Sequence, residues 1–110
     1  MGDRGQVFIA DEGIYLYTHW GATELIDLVR VSLAKRDRWD DPEYLARIIF
    51  CAMIKGDEDG TTGYGIGTTK HGDIWRLITI NCKMGKIWIN DNDEINSYTF
   101  EEFIKATKEK

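Results

Sequence analysis

Two short runs near the start of the chain are dense in apolar and aromatic positions. Val7 to Ala10 and Ile14 to Trp20 hold the β-branched and aromatic residues that favour strands. Asp11-Glu12-Gly13 lies between them, and a short loop with glycine at a left-handed position predicts a hairpin. Within the second run Tyr15, Tyr17 and His19 point one way, while Ile14, Leu16 and Trp20 point the other.

The period then lengthens. Leu25, Ile26, Val29 and Leu33 form an apolar stripe that predicts a helix from Thr23 to about Arg36, with Asp27 and Arg30 paired on another face. A second helix starts at Asp41 and Pro42, a side-chain cap followed by a residue that needs no N–H. Tyr44, Leu45, Ile48, Ile49, Ala52 and Met53 follow at helical spacing. Phe50, Cys51 and Ile54 widen the apolar arc, which predicts a central helix buried on more than one side and ended by Gly56.

Asp57 to Gly72 is irregular and glycine-rich. Ile74 to Cys82 is apolar on both faces, as a central strand should be. Lys83-Met84-Gly85 predicts a second hairpin turn, and Lys86 to Asn90 a strand with Ile87 and Ile89 on one face and Trp88 on the other. Asp91 to Glu94 reads as a polar turn. Thr99-Phe100-Glu101-Glu102 has capping-box spacing, flanked by Tyr98 and Phe103 at the staple positions, and predicts a short C-terminal helix.

The expected fold is α+β with two layers, in the order ββααβββα. An antiparallel or mixed sheet of four to five strands would carry two central helices on one face and the short C-terminal helix. At 110 residues the chain is expected to form a single domain over 1–110. A chain of that size buries roughly two-thirds of its unfolded surface, enough for one core.

Charge narrows the function classes. A net charge of −5 with no basic stripe argues against a non-specific grip on phosphate. Lys35, Arg36 and Arg38 form the one basic cluster, and Asp37, Asp40 and Asp41 interrupt it. Cys51 and Cys82 sit in apolar runs without metal-ligand spacing and are expected to be reduced, buried thiols. The polar stretch Met1 to Gln6 and the lack of a long apolar run point to a cytoplasmic protein with no signal peptide and no membrane span.

Most chemical motifs fail on spacing. Gly63-Tyr64-Gly65-Ile66-Gly67 departs from a dinucleotide fingerprint at Thr68, and Lys70 is followed by His71 where a P-loop needs Ser or Thr. Its plainer meaning is a glycine-rich strand or loop against which a neighbouring backbone or ring packs closely. Asp57-Glu58-Asp59-Gly60 lacks the later ligands of a calcium loop, and Asp91-Asn92-Asp93-Glu94 offers no full cage. Ser32 and Ser97 sit on no nucleophile elbow, and two histidines exclude a multi-histidine metal site. No cofactor or metal is expected.

Arg38-Trp39-Asp40-Asp41 combines a cation, an aromatic ring and two carboxylates, which suits a binding corner. Equally, Trp39 can plug a gap between the helices while Asp41 caps. Together with Tyr15-Leu16-Tyr17-Thr18-His19-Trp20-Gly21, with Pro42 to Phe50 and with Thr62-Gly63-Tyr64-Gly65-Ile66, this run resembles a group of small uncharacterised proteins of prokaryotes and their phages. The likeness spans residues from about 6 to 90. That group has no established activity, so the resemblance implies only a prokaryotic or phage cytoplasmic setting.

Three functional expectations follow. Aromatic excess without catalytic machinery points to a small interaction module, an adaptor or inhibitor that binds a protein partner or itself. Its surface would comprise Tyr15, Tyr17 and His19 with Tyr64 or Trp88 on the same sheet face, or the corner of Arg38, Trp39 and Asp40. An enzyme or ligand-binding protein would instead use His19 with Asp40 or Asp41 for proton transfer. Weak nucleic-acid binding would stack bases on the sheet aromatics.

Overall fold

The computed structural model describes residues 3–105. β1 (Gly5–Ile9) and β2 (Ile14–Thr18) form the expected hairpin, Ile9 opposite Ile14, with Gly13 at φ 69° closing the turn. The second strand stops at Thr18 rather than Trp20. A short 3-10 turn (Ala22–Glu24) leads into α1 (Leu25–Ala34), shorter than the predicted helix because Arg36 adopts φ 57° and turns the chain away. Asp41 caps α2 (Pro42–Met53), its carboxylate accepting the Tyr44 N–H at 3.5 Å.

Four more strands follow: β3 (Tyr64–Gly67), β4 (Arg76–Asn81), β5 (Lys86–Asp91) and β6 (Glu94–Thr99), before α3 (Phe100–Lys105). They join one mixed sheet in the order β3-β2-β1-β4-β5-β6, with β1 and β4 parallel at the centre and every other pair antiparallel. The sheet therefore has six strands, not four to five. The strands to which the sequence pattern assigns no residue range are the two edges, β3 and β6. An edge strand buries little, so its side chains need not alternate: β6 leaves all but one of its residues exposed, and two of the four residues of β3 are glycine.

All three helices pack on one face of the sheet. That face supplies Val7, Ile9, Leu16, Ile78, Ile80 and Ile87, which meet Leu25, Val29 and Leu33 of α1 and Leu45 and Ile49 of α2. Each such side chain contributes about 1.5–3 kcal/mol of burial. α3 joins the same layer. Phe100 and Phe103 are in the core, and Arg30 Nε donates to the Phe103 carbonyl at 3.1 Å. Its capping box is complete: Thr99 Oγ1 accepts the Glu102 N–H at 3.1 Å, Glu102 Oε1 accepts the Thr99 N–H at 2.9 Å, and the Tyr98 and Phe103 rings lie 5.9 Å apart.

Two expectations about burial are corrected. α2 is buried on one side only: Leu45, Ala46, Ile49 and Met53 face the core, whereas Tyr44 and Cys51 are exposed. Its second apolar side is surface. Cys51 is accordingly not a core thiol. Cys82 is half-buried, and burial, followed by the charges of Asp11, Asp40 and Asp41, pushes its thiol up to about 12.

The connection from β3 to β4 decides what the other sheet face looks like. β3 and β4 both run parallel to β1 but lie on opposite sides of it. The chain from Thr68 to Trp75 must therefore return along the sheet before β4 begins. It does so across the face opposite the helices, over Gln6 and Tyr17.

Candidate functional site

The face opposite the helices carries half of the candidate residues. Register alone assigns them: Phe8 is opposite Tyr15 and Thr79, Thr79 is opposite Trp88, and Trp88 is opposite Ser97. Side chains opposite one another in a sheet share a face. A second row carries Tyr17, Gln6, Leu77, Asn90 and Ile95. Tyr15, Tyr17 and Trp88 are thus brought to one face, as expected. Phe8, Leu77 and Ile95 join them, and Ile95 is 60% exposed.

The rings on this face are ordered by stacking. Tyr15 stacks on Phe8 with centroids 4.2 Å apart and planes 18° apart. Tyr17 stacks on His71 of the crossover at 4.4 Å and 24°. His19 continues the same side of β2, where its Nδ1 accepts from Arg4 Nε at 3.2 Å and lies 3.4 Å from the Tyr17 hydroxyl. Asp73 completes the cluster, 3.3 Å from Arg4 Nε and 4.0 Å from His71 Nδ1.

Gln6 fastens the crossover to the sheet. It is 1% exposed, its amide donates to the Thr69 carbonyl at 3.2 Å, and its Oε1 accepts the His71 N–H at 3.0 Å. A buried amide with both ends satisfied orders an otherwise irregular loop. Beside the crossover, Lys70, Trp75, Leu77 and Asn90 border a shallow cavity of about 250 Å³. The crossover covers the Tyr17 end of the face. Phe8, Tyr15, Thr79 and Trp88 lie beyond it, half-buried against one another.

Tyr64 is not on this face. It pairs with Thr18, a buried residue on the helix side, and packs at the margin of the core. Its hydroxyl accepts from Trp20 Nε1 at 3.1 Å. Trp20 in turn is 52% exposed rather than in the core with Leu16. Its ring lies over Gly63, at φ 93°, where an added Cβ would come within 2.3 Å of it. Close packing of a ring on the glycine-rich stretch was the plainer expectation, and it holds.

The Arg38-Trp39-Asp40 corner divides between roles. Trp39 plugs: its ring meets Phe100 edge-on at 5.2 Å, and Nε1 donates at 2.9 Å to the Leu33 carbonyl, which also accepts the Arg36 N–H at the end of α1. Arg38 stays outside, over the Tyr44 ring at 4.4 Å and 3.7 Å from Asp41. Asp40 is exposed.

His19 does not meet Asp40 or Asp41. These carboxylates act on Cys82, at the end of the sheet where Asp11 accepts the Cys82 and Lys83 N–H groups at 2.7 and 3.0 Å. His19 is at the other end, beside Arg4 and Asp73. The length of β1, roughly 13 Å, separates the two ends. That distance is far beyond the hydrogen-bond reach that proton transfer needs.

Sequence reasoning missed Phe8, Gln6 and His71. The signal for Phe8 was its alternation with Val7 and Ile9. Gln6 and His71 gave no local signal, since their meeting depends on a crossover that brings together residues 65 positions apart. Among the described residues, no group of three or more His, Cys, Asp or Glu side chains is placed to hold a metal ion, and no helix is long and apolar enough to cross a membrane. No protein-family model, curated protein or solved structure matches this chain.

Proposed function

We propose that the chain is a small non-catalytic interaction module, an adaptor or inhibitor, that presents the helix-free face of its sheet to a partner protein or to a second copy of itself. One observation carries the reading. All three helices lie on one face, while Phe8, Tyr15, Leu77, Trp88 and Ile95 occupy the other, where among the described residues the Thr68–Trp75 crossover alone lies over one end. A contiguous apolar and aromatic patch on a small domain marks a contact surface, and Tyr and Trp are common anchors there. The cytoplasm of a prokaryote, or of a cell carrying its phage, is the setting that the resemblance of the Tyr15–Gly21 and Arg38–Phe50 runs supports.

The separation of His19 from Asp40 and Asp41 supports the module over the acid–base alternative. Base stacking on the same aromatics would have to overcome a net charge of −5. The test compares the wild-type chain with Tyr15→Ser/Trp88→Ser in capture from lysate and in light scattering of the pure protein. The module predicts a stoichiometric association that the double variant loses while its melting temperature stays close to wild type. Equal association by both proteins would sink it.

A further inference from the structure

The second apolar side of α2 has a counterpart on α1. The short connection between the helices makes them antiparallel neighbours. Between their outer faces runs a groove of about 910 Å³. Leu28, Val31, Ile48 and Ala52 supply its apolar surface, with Tyr44 and Cys51 alongside. Val31 is 63% exposed and Tyr44 50%, which is unusual for the solvent side of a helix pair.

Charge is distributed unevenly along this groove. Lys35 and Arg38 lie where α1 ends and Arg47 halfway along α2, while Glu24, Asp27 and Lys55 lie toward the opposite end. Cations outnumber carboxylates here, although the chain as a whole carries −5. Among the described residues, Lys35 and Arg47 have no carboxylate within ion-pair distance, and Arg38 reaches Asp41 only at 3.7 Å. An apolar trench flanked by available cations is complementary to an apolar stripe flanked by anions.

We infer that this groove receives one acidic amphipathic helix of a partner protein, with its Leu-type side chains on Leu28, Val31, Ile48 and Ala52 and its carboxylates over Lys35, Arg38 and Arg47. The open walls favour a helix over a small molecule. Small-molecule sites enclose most of their ligand, whereas a helix laid in a groove needs only its apolar face covered. This surface is on the opposite side of the domain from the aromatic sheet face, so the two can be occupied at once. The inference goes beyond the sheet-face reading and stands or falls without it.

The probe is a labelled synthetic helix of about four turns, with Leu at i, i+3, i+4 and i+7 spacing and Glu on the flanks. A control peptide carries Lys in place of Glu. Fluorescence anisotropy with the full chain should show the Glu peptide binding at least about tenfold more tightly than the Lys peptide. Arg38→Glu/Arg47→Glu should reverse that order, with circular dichroism verifying that the variant is folded. A bulky maleimide on the exposed Cys51 thiol should block the Glu peptide, and Tyr15→Ser/Trp88→Ser should bind it as the wild type does. Binding of neither peptide, or binding indifferent to the Cys51 label and the charge reversal, overturns the inference. So does uptake of phosphatidylglycerol vesicles without uptake of the Glu peptide, which would make the groove a lipid-facing surface.

Discussion

His71 stacks on Tyr17 at 4.4 Å, so a backbone crossover, rather than a helix, covers one end of the sheet's second face. That contact depends on Gln6, whose buried amide holds the loop at Thr69 and His71. Gln6→Ala leaves these backbone groups without their partner. The expected cost is about 1–3 kcal/mol in the denaturant midpoint, with faster hydrogen exchange at the His71 amide. An unchanged midpoint and exchange rate would mean that the loop is held by other contacts.

Asp3 ties the start of the chain to two distant elements. Its carboxylate accepts the Thr23 N–H and Trp75 Nε1–H, both at 2.8 Å. Partial burial opposes its charge, but these hydrogen bonds and the Arg76 charge outweigh that effect and hold its pKa below the ordinary value. A depressed carboxylate stabilises the fold above its unfolded pKa, and that stability is lost as pH falls through the folded value. The loss on acidification should therefore be smaller in Asp3→Asn than in the wild type, in urea midpoints measured from pH 6 down to about pH 2.

The cysteines should separate by reactivity. Cys51 is exposed and Cys82 is half-buried with its thiol pushed up to about 12. Native protein near neutral pH should react quickly with one equivalent of a thiol reagent, and mass mapping should place the label on Cys51. Because the folded thiol titrates above the unfolded one, Cys82 contributes stability that is present below about pH 9 and lost as pH rises toward about 12. Cys82→Ala should flatten that alkaline decline.

Removing the cap of α3 with Thr99→Ala should cost about 1 kcal/mol, read as a lower denaturant midpoint. The helix is docked through Phe100 and Phe103, so fraying would propagate into the core. A midpoint equal to wild type would show that α3 contributes nothing to cooperative unfolding.

What was legible in the sequence was what local physics decides. The Asp41-Pro42 start, the Thr99–Glu102 box and the two hairpin glycines, Gly13 and Gly85, depend on neighbours within a few residues, and each is formed. Alternation likewise placed Tyr15 and Tyr17 on one face of β2. The failures are non-local. Tyr64 alternates correctly within β3, but the pairing of Thr18 with Tyr64 turns it to the helix side. Which parity faces which side is fixed by register, and no single strand encodes it. The apolar arc of α2 predicts burial, whereas part of it lines the open groove beside α1. Composition alone does not distinguish a face covered by the same chain from one left for another.

Association through the helix-free sheet face would shield its aromatic rings from solvent. Hydroxyl-radical footprinting of the isolated complex against the free chain tests it most directly. Phe8, Tyr15 and Trp88 should be protected on association, with Trp20 and Tyr64 at the sheet margin unchanged. Unaltered oxidation of Phe8, Tyr15 and Trp88 in a complex that is otherwise intact would contradict it.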